Sequence, residues 1–574
     1  MKYSMENGRT SYTDDKLNDI EIANFEARII TELRYIDGKK TTRFYELEGG
    51  NDNESFEPVI ISGTDFASMN WVANAWGSQA IIYPKNSAKE ILRTTIQMES
   101  KPKVKRIFTS TGWYKINGEN IFLSNNCAIS GEERSEKFNV ELPPDMKVYE
   151  LPADTSVSIP EAIVASLRTI DVATREIGWL VLAAVYRASI GNSDFAVHIT
   201  GRTGTFKSEL SALAQSHFGE ATARELPGSW SSTANALEAL AYRAKDVIFV
   251  VDDFIPMGTS YQQKAYQKTA DQLVRGQGNQ AGRARLTDTS NLQETMYPRG
   301  LILSTGEDTP EGHSVRARMM IAELTPGDID IEKLTKSQNE KSKLQYAMAG
   351  FIQWLSEDLQ EKRKQAKAIA VRYRDENIKV GHSRTPPMLG ELISGVAMFL
   401  QFAGEHGMKP GEQNKLYEQA VDSLKVLANR QIEYLTAADP ADQFIGVLRS
   451  IFAACAGHAK GMHGGIPQKA QLLGWTHIGD PDEMEFKPHG PRMGWVDQST
   501  KTLYLDAAVA YDAIRRHSRG SITITRQTLY KRLREAGHLT RVDDSRQRNT
   551  VRVQCEDAGR TCIALSLTTV TEGE

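Results

Sequence analysis

HITGRTGTFKSELSALAQSHFG (residues 198–219) decides how this chain is read. A short apolar run ending at Thr200 enters Gly201, Arg202, Thr203, Gly204, Thr205, Phe206, Lys207 and Ser208, and a helical pattern follows. Strand, small-residue loop and helix in this order form a phosphate loop. Consecutive backbone N–H groups converge on anionic oxygens, the helix N-terminus adds partial positive charge, the lysine reaches the outer phosphates and the hydroxyl binds Mg²⁺. Lys207 reads as an exposed loop cation whose partner is the ligand. Phe206 occupies the place where the GxxxxGK[ST] pattern has its second glycine, a residue free to adopt backbone angles that others avoid. Gly204 is the candidate to take over that steric role.

A second stretch, Asp246 to Asp253, is an apolar strand ending in two carboxylates, with Asp252 45 residues after Lys207. Of two adjacent carboxylates at the tip of a buried strand, one can hold Mg²⁺ and the next can polarise an attacking water. Asp252 is assigned to the metal and Asp253 to the water, although the shorter reach of aspartate than glutamate bears on the second role. A third strand, Gly300 to Thr305, ends in the hydroxyls of Ser304 and Thr305, either of which could orient that water. Beyond it, Arg316 in the segment 314–318 stands where the resemblance to AAA+ ATPases implies an arginine that completes a neighbouring subunit's site; a surface ion pair is the alternative. ATP and Mg²⁺ are the cofactors this set implies.

Outward from the loop, Phe195–Thr200, Val247–Val251, Leu301–Thr305 and Met319–Leu324 are short apolar runs separated by helix-like text. That rhythm predicts a doubly wound α/β core over residues 156–330. Residues 1–155 read as an α+β domain, with β-like runs at 57–62, 79–83 and 104–110 and with Trp71, Trp76 and Trp113 as core aromatics. Residues 331–437 are helical in pattern, interrupted at HSRTPP (382–387), and form a helical subdomain. Residues 438–574 end in a helix, 526–536, and two β-like runs, 550–555 and 561–567, which is the order of a winged helix.

The chain of 574 residues is 40% hydrophobic and 25% charged, values of ordinary globular domains. Its amino terminus lacks the apolar core of a signal peptide, and the best apolar run, 178–186, is too short to cross a bilayer. A cytoplasmic protein without membrane contact is expected. Four cysteines with no CxxC spacing, and histidines scattered along the chain, give no zinc pattern. The net charge of −4 hides a local excess: residues 511–552 hold eleven Lys/Arg and four Asp/Glu, a balance of +7. Such an excess points to a nucleic-acid-facing module. Within it Leu529 and Leu533 face the core, leaving Lys531, Arg532 and Arg534, with Arg546 and Arg548 at the following turn, to meet phosphates. Protein contacts are the alternative use of such a module.

In order, GRTGTFKSELSALAQSHFG, LPGSWSSTANALEALAYRAKD (226–246), VIFVVDDF (247–254) and RGLILSTGED (299–308) resemble the core of the domain of unknown function 927 family. The resemblance is firm over about residues 160–330. It extends loosely to FASMNWV (66–72), TGW (111–113) and HSRTPP, and does not reach the last 130 residues. It implies an AAA+ P-loop ATPase of plasmids, phages and integrated elements. More specifically, it implies a hexameric, DNA-translocating replicative helicase, similar in plan to the minichromosome-maintenance and superfamily 3 helicases, working beside a separate primase or polymerase. Single-stranded DNA would run in the channel and duplex would meet the carboxy-terminal domain. In that frame Trp230, in the segment 230–233, is a channel-loop residue or an anchor beside a helix N-cap. Arg283 and Arg285, in the Gly-rich segment 275–285, belong to a channel hairpin or to a solvated loop. Arg384 is a second sensor of the terminal phosphate or part of a helix cap.

A rival from another class is an ATP-switched, DNA-binding replication initiator or regulator without processive unwinding. A defence ATPase with another effector is a further rival, but isolated pairs such as Asp328 and Asp330 make no nuclease constellation.

Overall fold

The computed structural model describes residues 2–38, 40–131, 133–282, 295–377, 382–436, 438–478, 485–518, 524–546, 548–556 and 558–571. They form two compact units. The first comprises Met1–Asp308, Arg318–Lys379 and Pro386–Leu427; the second comprises Thr309–Ala317, Val380–Thr385 and Ala428–Glu574.

In the first unit, antiparallel strands Glu26–Asp37, Lys40–Gly50 and Ser55–Ser62 share a sheet with Lys103–Phe108, which lies parallel to Glu26–Asp37. The three tryptophans are core residues, as their sparse basic surroundings predict. Trp71 and Trp76 are buried edge to face, 4.8 Å between centroids, and Trp113 is buried as well. The β-like run at 79–83 is not a strand: it contains the end of a 3₁₀ turn and one isolated bridge, Ala23 to Ile82.

At the centre of this unit lies a parallel sheet of five strands: β1 (Ala196–Thr200), β2 (Gly228–Ser229), β3 (Ile248–Phe254), β4 (Leu301–Gly306) and β5 (Met319–Glu323). The spatial order is β2-β3-β4-β1-β5. Four of these are the apolar runs read from the sequence. β2 has only two residues and no apolar run of its own. β1 is buried at every position, as strands covered on both faces must be. Helix α1 (Arg175–Ile190) is buried from Ile177 to Ile190 and covers the sheet, and helix α2 (Lys207–Gln215) follows the phosphate-loop sequence.

Helices Ile331–Asn339, Lys341–Glu357, α3 (Leu359–Glu376), Thr385–Glu405 and Pro410–Thr436 account for the helical text after residue 330. Thr385–Glu405 is long and apolar enough to cross a membrane by composition, which the focus on residues 178–186 overlooked; 72% of its apolar window is buried in the protein.

In the second unit, helix Pro440–Ala453 packs with helices Ala507–His517 and Arg526–Glu535 on a sheet ordered from His458–Gly461 through Arg492–Asp497, Thr502–Asp506 and Ala558–Ser566 to Leu539–Arg541, with Val551–Cys555 paired to Ala558–Ser566. The helix and terminal hairpin exist as read. They belong to a larger six-stranded sheet, because Thr502–Asp506 pairs with Ala558–Ser566 along its whole length.

Candidate functional site

The loop between β1 and α2 is set by three backbone choices. Gly201 and Gly204 have φ of +154° and +85°. Phe206 has φ +61° and ψ +27°, so it takes the left-handed conformation itself. Gly204 therefore does not replace the missing glycine. The aromatic residue adopts the glycine geometry at a cost of about 1–2 kcal/mol for an L-residue, and its ring stays 42% exposed.

Lys207 opens α2 and is buried, not the exposed cation of the sequence reading. Its Nζ donates to the carbonyls of Gly201 at 2.7 Å and Arg202 at 2.9 Å. Thr205 braces the same turn, donating from Oγ1 to Arg202 O at 2.8 Å. Ser208 Oγ lies 3.0 Å from both carboxylate oxygens of Asp252. Two segments 44 residues apart in sequence thus place a hydroxyl against a carboxylate, the all-oxygen donor set that suits Mg²⁺.

β3 leaves regular pairing with β4 between Val251 and Phe254, and Asp253 has φ +71°. Aspartate tolerates this region better than most residues. The irregularity frees the Asp253 N–H from the ladder, and it donates to Thr305 Oγ1 at 3.1 Å. Thr305 Oγ1 in turn donates to Asp252 Oδ1. Burial, then the neighbouring Asp252 and Glu307, hold the Asp253 carboxyl above its ordinary range, with Lys207 opposing. Burial lowers Lys207, while Glu307, Asp252 and Asp253 act against that shift.

Successive residues of a strand point to opposite faces, and this separates the two hydroxyls of β4. Thr305 meets the aspartates. Ser304 turns away: it is fully buried between His198 Nδ1 and Trp230 Nε1, each 2.9 Å away. Ser304 is accordingly corrected from a water-orienting candidate to a core contact.

Trp230 is corrected with it. Its side chain is 2% exposed and packs edge-on against Phe254 at 5.4 Å, while its backbone N–H donates to Asp252 O at 3.0 Å. It anchors the edge strand β2, and Thr233 caps the next helix by accepting from Ala236 N–H at 3.3 Å. The anchoring alternative is the one realised; a ring so buried has no face for a base.

Residues 275–279 are the end of helix Ser260–Asn279, not a glycine loop. Gln277 is buried and donates to Gly300 O at 2.5 Å. Arg283 and Arg285 lie outside the described residues.

Arg316 sits in a short helix, His313–Arg316, with its guanidinium donating to Pro310 O at 2.9 Å and Tyr434 O at 3.3 Å. Both of those bonds are to backbone carbonyls. Arg384 lies in the turn before helix Thr385–Glu405, where its backbone N–H donates to His382 Nδ1 at 3.2 Å.

In the second unit, Leu529 and Leu533 are fully buried and Lys531, Arg532 and Arg534 exposed, as the helical spacing predicts. Glu535 pairs with Arg532 at 2.8 Å and Lys531 at 3.8 Å, partly offsetting the basic face. Arg546 and Arg548 are exposed at the turn before the hairpin.

Two site residues escaped the sequence reading. Glu307, the first residue beyond β4, accepts from Thr203 Oγ1 across the loop 201–208. His198, on β1, fixes Ser304 and also bonds Asp308 O at 2.9 Å. Glu307 was legible as a carboxylate two residues after the hydroxyl pair. Nothing in the sequence marked His198.

A solved structure described as "SCCmec type IV Cch - active helicase" is similar to this chain with a TM-score of 0.56 at 13% identity, covering 100% of this chain and 98% of that one. At this identity the likeness concerns the fold. No curated protein matches. The model of the family described as Domain of unknown function (DUF927) matches residues 80–290, which include the TGW motif, the loop 201–208 and both aspartates.

Proposed function

We propose that the chain is an ATP-driven DNA helicase of the AAA+ type, acting as a hexamer in the replication of a mobile element. The observation that carries the reading is the convergence of Lys207, Ser208, Asp252, Asp253 and Thr305 at the ends of β1, β3 and β4. The sheet order β2-β3-β4-β1-β5, with the lysine loop leaving an interior strand, supports it. So does the fold-level likeness to a protein described as an active helicase.

In this reading the loop 201–208 and Lys207 hold the phosphates of ATP, and Ser208 and Asp252 hold Mg²⁺, which neutralises phosphate charge when bound. Asp253 takes the proton of the attacking water. Its raised affinity for protons suits a base, and Thr305 fixes it through its backbone N–H. Lys207 exchanges its two carbonyl partners for phosphate oxygens. Arg316 reaches a neighbour's site after releasing Pro310 and Tyr434, and Arg384 senses the terminal phosphate. Single-stranded DNA is the channel ligand, and the basic helix 526–535 with its hairpin, a winged-helix-like element, meets duplex.

The test is ATP turnover by the full chain with and without single-stranded DNA, together with strand separation and particle mass in ATP. Turnover stimulated by DNA, unwinding and a sixfold mass are expected. The exposed basic helix face supports a second reading, an ATP-switched initiator; slow, unstimulated turnover with site-specific duplex binding would replace the helicase by it.

A further inference from the structure

A cavity in the first unit, of about 430 Å³, is lined in part by Trp113, Lys245 and Asp246, the loop 190–192, and Arg363 and Lys367 of α3. It adjoins the root of β3. Asp246 precedes that strand and Asp252 lies near its far end, six residues later or about 20 Å along an extended chain. The cavity is therefore distinct from the phosphate-loop site.

Most charges around it are already matched. Each nitrogen of Arg187 has a partner: Nε meets Glu391 Oε2 at 2.5 Å, and Nη1 and Nη2 donate to Gly191 O and Asn192 O, each at 2.9 Å. Asp246 accepts the Trp113 N–H at 2.9 Å and pairs with Lys245 at 3.5 Å, while Lys245 also donates to Trp113 O. Two neutral pairs remain after this accounting, together with two cations.

Those cations are Arg363 and Lys367. They stand four residues apart on α3, on the same helix face, where like charges repel. Neither makes an ion pair among the described residues. Arg363 is oriented by its backbone partner: Nε donates to Ile190 O at 2.6 Å. Gly191, at φ +152°, lets the guanidinium lie against the loop, since a Cβ there would come within 3.2 Å of Arg363 Nη2. With Nε committed, the Nη edge remains for a ligand. Burial lowers the Arg363 pKa, and Asp246 only partly compensates. Lys367 is exposed and marks the open side.

We propose that this cavity is an anion site that takes a phosphate group, bound by Arg363 through its planar guanidinium and by Lys367 as a point charge. Its volume lies within the range of small-ligand sites. The excess of two positive charges matches a phosphate dianion. The phosphate could come from a free small anion or from a nucleic-acid backbone, and the two sources share this chemistry.

The test titrates inorganic pyrophosphate calorimetrically into the full-length Lys207→Ala protein, in which the phosphate loop has lost its lysine. Saturable binding is expected. It should weaken about tenfold or more when Lys367→Glu or Arg363→Gln is added, the size expected for losing a charge-assisted hydrogen bond. Lys367 is solvent-facing, so Lys367→Glu should keep its unfolding midpoint even if Arg363→Gln does not. A short oligothymidylate without a terminal phosphate then separates the sources: competition assigns the site to a nucleic-acid backbone, and its absence assigns it to a free phosphate anion. No pyrophosphate binding by the Lys207→Ala protein, or binding unchanged in both cavity variants, would overturn the proposal.

Discussion

Thr305 donates its hydroxyl proton to Asp252 Oδ1, and its Oγ1 accepts the backbone N–H of Asp253 at 3.1 Å. One side chain on β4 thereby sets the carboxylate assigned to the metal and the backbone of the carboxylate assigned to the water. Ser304, its neighbour on the same strand, bonds instead to His198 and Trp230 in the core.

This division predicts opposite phenotypes for two adjacent substitutions. Thr305→Ala should lower kcat on the order of 10²-fold, the usual worth of a group positioning proton transfer, with little change in unfolding midpoint. Ser304→Ala should leave kcat near wild type and cost about 1–3 kcal/mol of stability, because the buried Trp230 N–H loses its acceptor. Steady-state turnover and urea denaturation of both variants check the pair, and the reverse pattern would return Ser304 to the site.

Phe206 supplies the second prediction. Because it already holds φ +61°, Phe206→Gly should keep nucleotide binding: relief of left-handed strain, about 1–2 kcal/mol, is only partly offset by the greater unfolded-state entropy of glycine, about 0.5–1 kcal/mol. Phe206→Val should lose binding, since β-branching opposes this backbone region. Fluorescent-nucleotide titration distinguishes the two. Equal loss in both variants would mean that the ring, and not the backbone angle, is what the loop requires.

Asp253 couples stability to pH with a sign opposite to that of a salt-bridged aspartate. Its folded pKa is raised, so the folded state binds the proton more tightly than the unfolded chain. Its stabilising contribution is present below the unfolded value and is lost as pH rises through the folded one. Asp253→Asn should therefore melt higher than wild type at pH 7, with the advantage vanishing below about pH 4, near the unfolded aspartate pKa. The same variant should bind ATP without hydrolysing it. A melting point unchanged across this range would remove the electrostatic account of Asp253, and wild-type turnover would remove its role as base.

The parts legible in the sequence were those whose cause is local. The four short apolar runs of the core became buried strands, and Leu529 and Leu533 face inward as their i, i+4 spacing requires. The proximity of Ser208 and Asp252 followed from motif spacing. Orientation across the sheet was not legible. Whether Ser304 or Thr305 meets Asp252 depends on the register of β4 against β3 and on the irregularity at Asp252–Asp253, which no spacing rule encodes. Trp230 was ambiguous because a tryptophan beside a helix cap suits both an anchor and a channel-loop residue. Its acceptor, Ser304, lies 74 residues away.

Arg316 tests assembly. In the chain itself its guanidinium holds Pro310 O and Tyr434 O, so Arg316→Ala removes that clamp as well as any reach to a neighbour. An arginine supplied in trans should cost on the order of 10³-fold in turnover when lost. Mixing Arg316→Ala with Lys207→Ala protein should partly restore activity, because some mixed interfaces pair an intact phosphate loop with an intact arginine. A clamp role alone would lower the melting point and give no rescue.

The carboxy-terminal basic face makes the last prediction. Helix Arg526–Glu535 is seated by Leu529, Tyr530 and Leu533, which are buried, so Lys531, Arg532 and Arg534 can change without disturbing the core. Arg546 and Arg548 are exposed at the turn before the terminal hairpin. Glu535 competes for Lys531 and Arg532, and an exposed ion pair is worth only about 0–1 kcal/mol, so DNA phosphates can displace it. Replacing the five basic residues with alanine should weaken duplex binding and flatten its dependence on salt by about 0.9 in log–log slope per lost phosphate contact. Glu535→Gln should act in the other direction and tighten binding, since it frees Lys531 and Arg532 without removing a cation. Basal ATP turnover should persist in both variants, because Lys207, Ser208, Asp252 and Asp253 belong to the other unit. Duplex titrations at several salt concentrations measure affinity and slope together. Unchanged affinity and slope in both folded variants would mean that this face is a solvated surface or a protein contact, and DNA would then have to be held elsewhere.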